Sequence, residues 1–153
     1  MIYEHLVSYV IAALLAFTGV EASPDALPLA RAIAATAIER PVVGSAQATA
    51  LMLASIAAGE SQLRPEVLDC RVTGDGGRSR GAFQIWGAPR QVCTDWQFAA
   101  HMALTIVEDS LRVCHDLTAY CSGKCGVAKK IANHYQSRAR RFARDHPLLP
   151  PID

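Results

Sequence analysis

The chain has 153 residues, of which 51% are hydrophobic and 19% are charged, and its formal net charge is +1. This composition excludes a disordered or fibrous chain, and at this length a folded chain buries about two thirds of its unfolded surface. We find no internal repeat and no low-complexity tract. The sequence therefore predicts one compact domain over residues 1–153.

The N-terminal segment is strongly apolar from Leu6 to Val20, and Val20-Glu21-Ala22 is similar to a small-residue cleavage site. It lacks the basic region that opens a signal peptide, and it is shorter than the ~20 residues that a membrane-spanning helix needs. We expect a buried helix that packs on the domain. A signal or a membrane-contacting anchor in residues 1–20 is the alternative.

The rest of the chain has the apolar periodicity of helices. An alanine-rich segment from Leu27 to Arg40 is predicted to be helical and to end at Pro41. Three further helical stripes are formed by Ala48, Leu51, Met52 and Ile56; by Ala100, Ala103, Leu104, Val107 and Leu111; and by Ala128, Ile131, Ala132, Tyr135, Ala139 and Phe142. The last helix is expected to stop at Pro147, Pro150 and Pro151. The predicted fold is mainly α, with an N-terminal helical segment (1–42) packed on a core (43–147).

Glu60 ends the first of these stripes, four residues past Ile56. Its carboxyl group is therefore predicted to project from the apolar side of the helix, where desolvation raises the pKa of a carboxyl group. A carboxyl that stays protonated near neutral pH can donate its proton to a leaving oxygen. The alternative is a helix end whose Glu60 pairs on the surface with Arg64 or Arg71.

A glycine-rich segment follows, in which three glycines surround Asp75 and Gly81 precedes a strand-like run from Ala82 to Trp86. Glycines in this density indicate tight turns and close backbone approach. We expect a short β-hairpin or extended segment near residues 72–86.

These residues carry a family resemblance. Glu60-Ser61 together with the GxxQI of Gly81 to Ile85 resembles the Glu-Ser and GLMQI motifs of soluble lytic transglycosylases. Gly74-Asp75, seven residues before Gly81, resembles goose-type lysozyme. Both groups belong to the lysozyme-like superfamily.

A third motif of this superfamily, the AYNAG loop, is similar to Ala119 to Gly123, with departures at Cys121 and Ser122. The helix and the motifs span Ala48 to Gly123 in a fixed order, which is about half of the chain.

The resemblance implies a peptidoglycan-cleaving glycosidase that acts between N-acetylmuramic acid and N-acetylglucosamine without a cofactor or a metal. Glu60 would be the general acid and then the base of a lytic transglycosylase, while the muramic 6-hydroxyl attacks. Tyr120 would bind substrate and hold Glu60. The remaining substrate-binding residues would be Ser61, Ser79 and Gln84.

Asp75 decides between two outcomes. If it faces the cleft with room for a water beside Glu60, the two-carboxylate logic of hydrolysis applies, as in a goose-type muramidase. If it stabilises the glycine turn, which is the usual role of an Asp between glycines, the single-glutamate route is favoured. Phe83 and Trp86 are either core residues or a sugar-stacking face.

The five cysteines indicate an oxidising, extracytoplasmic compartment, either the periplasm, the exterior of the cell or a phage particle. We predict disulfides between Cys114 and Cys125, around the Tyr120 loop, and between Cys70 and Cys93. The alternative is a zinc site formed by Cys114, His115, Cys121 and Cys125, which we disfavour because adjacent ligands suit one ion poorly.

Basic residues crowd the last fifth of the chain: Lys124, Lys129, Lys130, Arg138, Arg140, Arg141 and Arg144. We favour a solvated helix face; contact with the anionic cell envelope is an alternative. Nucleic-acid binding is a further alternative, which we disfavour because no motif for it is present. The expected partners are peptidoglycan strands and, in a second hypothesis, a phage or secretion-machine assembly in which the domain is a non-catalytic structural or binding module.

Overall fold

The computed structural model describes residues 2–148, and over this range the chain is mainly α-helical with one short β-hairpin, as the sequence predicts. The helices are α1 (Ile2–Thr18), α2 (Ala26–Glu39), α3 (Ala46–Ser61), α4 (Pro65–Leu68), α5 (Trp96–Cys114), α6 (Thr118–Ser122) and α7 (Lys129–Asp145). The strands are β1 (Ser79–Arg80) and β2 (Ile85–Trp86), and 3₁₀ turns cover Asp75–Gly77 and Arg90–Cys93.

Helix α3 lies at the centre of the molecule and packs against α1, α2, α5 and α7. Every residue from Thr49 to Ala58 is buried, which agrees with a sequence that is apolar almost all round. The Ser45 hydroxyl caps the helix by accepting a hydrogen bond from the backbone N–H of Ala48 at 3.0 Å. The burial of α3 fixes the position of Glu60, in its last turn.

Helix α1 packs on α2 and α3, and its apolar face is part of the main core. Tyr9 and Phe17 each approach the Phe142 ring of α7 with their centroids 5.4 Å away, so this N-terminal helix also contacts the last one. Within residues 2–148, no helix combines the length and the apolar character that crossing a membrane requires.

The helix boundaries follow the predicted signals closely. Helix α2 ends at Glu39, just before Pro41, and α7 ends at Asp145, before Pro147. Pro150 and Pro151, which were also expected to stop this helix, lie outside the described residues.

Strand β2, at Ile85–Trp86, is shorter than the strand-like run predicted for Ala82 to Trp86. The antiparallel register of the hairpin pairs Ser79 with Trp86 and Arg80 with Ile85. Residues 81–84 form the connecting turn, in which Gly81 (φ 80°) and Gln84 (φ 45°) take left-handed conformations that a strand does not allow.

Both predicted disulfides are confirmed. Cys70 joins Cys93 and Cys114 joins Cys125, and Cys121 is a free thiol. The zinc alternative is wrong because the second disulfide uses two of its four ligands. Two disulfides indicate an oxidising, extracytoplasmic environment.

Candidate active site

An open cleft of about 800 Å³ lies between the end of α3 on one side and the glycine-rich segment and α6 on the other. Of the predicted site residues, the structure brings five together along this cleft: Glu60, Asp75, Ser79, Gln84 and Tyr120. These residues come from separate parts of the sequence, so the cleft is a product of the fold.

The Glu60 carboxyl group is half-buried at the C-terminal turn of α3. The Tyr135 hydroxyl, from α7, donates a hydrogen bond to its Oε1 atom at 3.1 Å. Over residues 2–148 this is the only hydrogen bond to the carboxyl group, which leaves Oε2 free to carry a proton. The surface pair proposed as an alternative does not form: Arg71 pairs with Asp69, and Arg64 forms no ion pair within residues 2–148.

Gly59 permits this contact. A Cβ atom at residue 59 would lie only 2.2 Å from Cε1 of the Tyr135 ring and 2.6 Å from its hydroxyl oxygen. Any larger residue would therefore displace the ring that holds Glu60. The glycine before the catalytic candidate therefore has a packing role inside α3, which continues to Ser61.

Burial raises the pKa of Glu60 above its ordinary value, the Tyr135 hydrogen bond lowers it, and the charge of Asp75 raises it. The net direction is upward, so the carboxyl group holds its proton to a higher pH than a solvated glutamate. Burial and the nearby Glu60 also raise the pKa of Tyr135, which therefore stays protonated and remains a donor.

Asp75 lies on the opposite side of the cleft and begins the 3₁₀ turn of residues 75–77, with a φ of 49°. Its Oδ2 atom accepts a hydrogen bond from the Ser79 hydroxyl. The side chain therefore braces the glycine turn while remaining exposed to the cleft. Ser79 itself is buried and is engaged by this bond.

Gln84 is held between two glycines. Its Nε2 atom donates to the carbonyl of Gly81 at 3.0 Å. Its Oε1 atom lies 2.6 Å from where a Cβ at residue 74 would stand, so Gly74 is needed for this close approach. The turn thus presents the Gln84 amide to the cleft in a fixed position.

Tyr120 lines the cleft. It was expected to hold Glu60, but it does not. Its hydroxyl donates to the carbonyl of Phe83 at 2.8 Å, which ties α6 to the hairpin turn. The role of holding Glu60 falls to Tyr135. Beside Tyr120, burial raises the pKa of the free Cys121 thiol to about 11, so it stays protonated.

Ser61 is not in the cleft. It is fully buried, and its hydroxyl donates to the carbonyl of Ala57 at 2.7 Å and accepts from the N–H of Leu63. The geometry gives it a part in ending α3 and no direct contact with a ligand, which departs from the expected substrate-binding role.

The two aromatic residues of the hairpin, Phe83 and Trp86, differ in their exposure to solvent. Phe83 is fully buried in the core, whereas Trp86 is 67% exposed and lines the cleft together with Arg78. Trp86 can therefore offer an open ring face, and Phe83 cannot.

Sequence reasoning placed Tyr135 in a core stripe and missed its contact with Glu60. The prediction that Tyr135 lies on the buried face of α7 is confirmed. The signal that would have helped is Gly59, since a glycine inside a buried helix indicates close approach by another group.

No family profile, no curated protein and no solved structure matches this chain.

Proposed function

We propose that this protein cleaves peptidoglycan glycan strands at the bond between N-acetylmuramic acid and N-acetylglucosamine, as a lytic transglycosylase with Glu60 as general acid and base. The observation that carries the proposal is the half-buried Glu60 carboxyl, with its raised pKa, at the edge of an open cleft of about 800 Å³. Such a group is suited to protonate a glycosidic oxygen near neutral pH.

The first step would transfer the proton from Glu60 Oε2 to the glycosidic oxygen, as the bond from that oxygen to the muramic C1 breaks. The sugar develops oxocarbenium character and Glu60 becomes a carboxylate. The Tyr135 hydroxyl, already directed at Oε1, stabilises this charge because a hydrogen bond to an ionised acceptor is stronger than one to a neutral acceptor.

In the second step the muramic 6-hydroxyl would attack C1 and give its proton to Glu60. The product is a 1,6-anhydro sugar, no water is consumed, and the enzyme returns to its starting protonation state. This cycle needs only one carboxyl group, with no cofactor.

The role of Asp75 distinguishes this route from hydrolysis. Its hydrogen bond from Ser79 favours a part in bracing the turn, and hence the single-glutamate route. The alternative is a goose-type muramidase, in which Asp75 helps to place a water. Its exposure to the same cleft supports this second candidate.

The opposite wall would bind the sugar. Gln84 and Tyr120 line it with polar groups, and the exposed ring of Trp86 is suited to stacking on a pyranose face. The substrate lies in the extracytoplasmic space, in keeping with the two disulfides, and we place the protein in the periplasm, outside the cell or in a phage particle.

The competing hypothesis is that the protein has no enzymatic activity and is a structural or binding module of a phage particle or a secretion machine.

Glu60→Gln tests this alternative, since it keeps the size and hydrogen-bonding capacity of the side chain but cannot donate a carboxylic proton. We expect the rate of lysis of purified peptidoglycan to fall by about 10²- to 10⁴-fold.

Glu66→Gln is the matched control, since it removes a carboxylate six residues away that does not line the cleft. It should lyse at the wild-type rate. Equal lysis by wild type and Glu60→Gln would remove Glu60 as the acid, and with it this mechanism.

A further inference from the structure

A second depression, with basic side chains in a largely apolar wall, lies on the other side of Tyr135 from the cleft. Two cavities of about 520 and 300 Å³ share Phe17, His134 and Arg138 in their walls, so they form one continuous groove between α1 and α7. Lys130 lines the first cavity and Arg141 lines the second. We call this the cationic groove and define it by Lys130, His134, Arg138 and Arg141.

These four residues are spaced i, i+4, i+8 and i+11 along α7, so their side chains share one face of the helix. They extend over about 16 Å along its axis. Among the described residues that line the groove, Asp145 is the single carboxylate, and it bonds to Arg144 at 3.0 Å. The groove thus has positive charge that its own walls do not neutralise.

Arg138 differs from the solvated cation that the sequence suggested. It is half-buried, and it donates to the hydroxyl of Ser55 at 2.8 Å and to the carbonyl of the same residue. Its guanidinium lies 5.0 Å from the Phe17 ring centroid and 5.4 Å from that of Tyr135. These partners are all neutral, and within residues 2–148 no carboxylate forms an ion pair with Arg138. A half-buried cation without a counter-ion is costly, and an anionic ligand would offset that cost.

The groove and the cleft meet at one side chain. The ring of Tyr135 lines the groove, while its hydroxyl contacts Glu60, which lines the cleft. Gly59 and Ala58, the two residues before Glu60, line the groove as well. The Arg138 guanidinium is 5.4 Å from the Tyr135 ring centroid, so a single side chain separates the groove from the carboxyl group at which a scissile bond would lie.

We propose that the cationic groove binds the carboxylate groups of the peptide stems carried by the glycan strand in the cleft. This inference rests on the proposed function. It implies that the preferred substrate is a glycan strand that carries peptide stems and not bare glycan. An extended peptide of four residues spans about 13 Å, which fits within the cation stripe of about 16 Å. Lys130 and Arg141 at its ends, and Arg138 between them, can bond carboxylates along that length.

The test compares two double variants on the same helix, both made in a Glu60→Gln background so that the wall is bound and not degraded. Lys130→Glu with Arg141→Glu reverses two charges of the groove. Lys129→Glu with Arg140→Glu reverses two exposed cations with the same spacing and the same change in net charge, and neither lines the groove. Melting temperatures of both variants establish that they are folded.

Binding is measured by co-sedimentation with purified walls from which phosphate-bearing polymers have been removed. One set of walls keeps its peptide stems, and in the other set an amidase has removed the stems. We expect the groove variant to bind stem-bearing walls about tenfold more weakly than the control variant, and both to bind stripped walls within twofold of each other.

Equal losses in both variants would overturn the proposal, because the effect would then be one of net charge. A groove-specific loss that persists on stripped walls, or that appears only when a phosphate-bearing polymer or nucleic acid is supplied, would overturn it too. Since no turnover is involved, a groove-specific result on stem-bearing walls stands even if the lysis experiment finds no activity, and then the proposed function alone fails.

Discussion

On one side of the cleft Glu60 lies at the end of a helix that is buried on nearly every face. On the other side Asp75, Ser79 and Gln84 lie on a segment of turns and a hairpin with two-residue strands. The first wall is held by the packing of α3 against four helices. The second wall has left-handed backbone conformations at Asp75 and Gln84. Side-chain hydrogen bonds and the Cys70–Cys93 disulfide stabilise it.

The difference teaches where each requirement of the site is met. The general acid that we propose needs a fixed, partly desolvated environment, which a packed helix provides. The ligand-facing wall needs exposed polar groups, and turns present these at the surface. Changes to the two walls should therefore have different consequences.

The largest effect on stability is expected in the turn wall. Replacing Cys70 and Cys93 by serine frees a loop with a sequence separation of 23 and should lower the free energy of unfolding by about 3 kcal/mol. Amide hydrogen exchange should speed up first around the hairpin, while α3 keeps its protection. Cys121→Ser is the control, because this cysteine is free, and its change should stay within about 0.5 kcal/mol. Uniform loss of protection in α3 and the hairpin would show that the walls are not independent.

A smaller loss is expected from Gly59→Ala in the helix wall. Helix propensity alone would stabilise the protein by up to about 1 kcal/mol. The new Cβ meets the Tyr135 ring at 2.2 Å, however, so we expect a destabilisation of about 1–3 kcal/mol in denaturant unfolding, together with reduced lysis. A variant that is more stable than the wild type would contradict this prediction, because it would mean that the Tyr135 ring does not pack against Gly59.

The smallest effects are opposite shifts in the pH dependence of lysis. In the proposed mechanism, activity requires protonated Glu60 and is lost as the pH rises through its pKa. Tyr135→Phe removes the hydrogen bond that lowers this pKa, so the alkaline limb should move to higher pH. Asp75→Asn removes a charge that raises it, so the limb should move to lower pH.

Initial rates across the pH range, measured for wild type and both variants, check this pair of shifts. Movement of the limb in the same direction in both variants would contradict the assignment of the limb to Glu60.

Much of the helix wall was predictable from sequence. The stripe from Ala48 to Ile56 gave the helix and the half-buried position of Glu60, because a 3.6-residue period fixes which side chains share a face. The disulfides were predicted as well. The partner of Glu60 was not, because the contact with Tyr135 joins residues 75 positions apart and depends on how α3 and α7 pack.

The turn wall was predictable only in outline. The glycines around Asp75 indicated turns, but the short strands at residues 79–80 and 85–86 and the left-handed Gln84 depend on hydrogen bonds that local periodicity does not encode. Ser61 shows the same limit. Its polarity suggested a ligand contact, whereas its hydroxyl bonds to its own helix.

The central claim is that Glu60 cleaves glycan strands without the help of a second carboxylate. Mass analysis of the sugars released from purified peptidoglycan tests it most directly, with Glu60→Gln as the blank. We predict anhydro-muramic ends from the wild type and none from the variant. Reducing ends that disappear in Glu60→Gln would contradict the transglycosylase route and assign the reaction to Asp75-assisted hydrolysis, and no release from either protein would contradict the catalytic assignment as a whole.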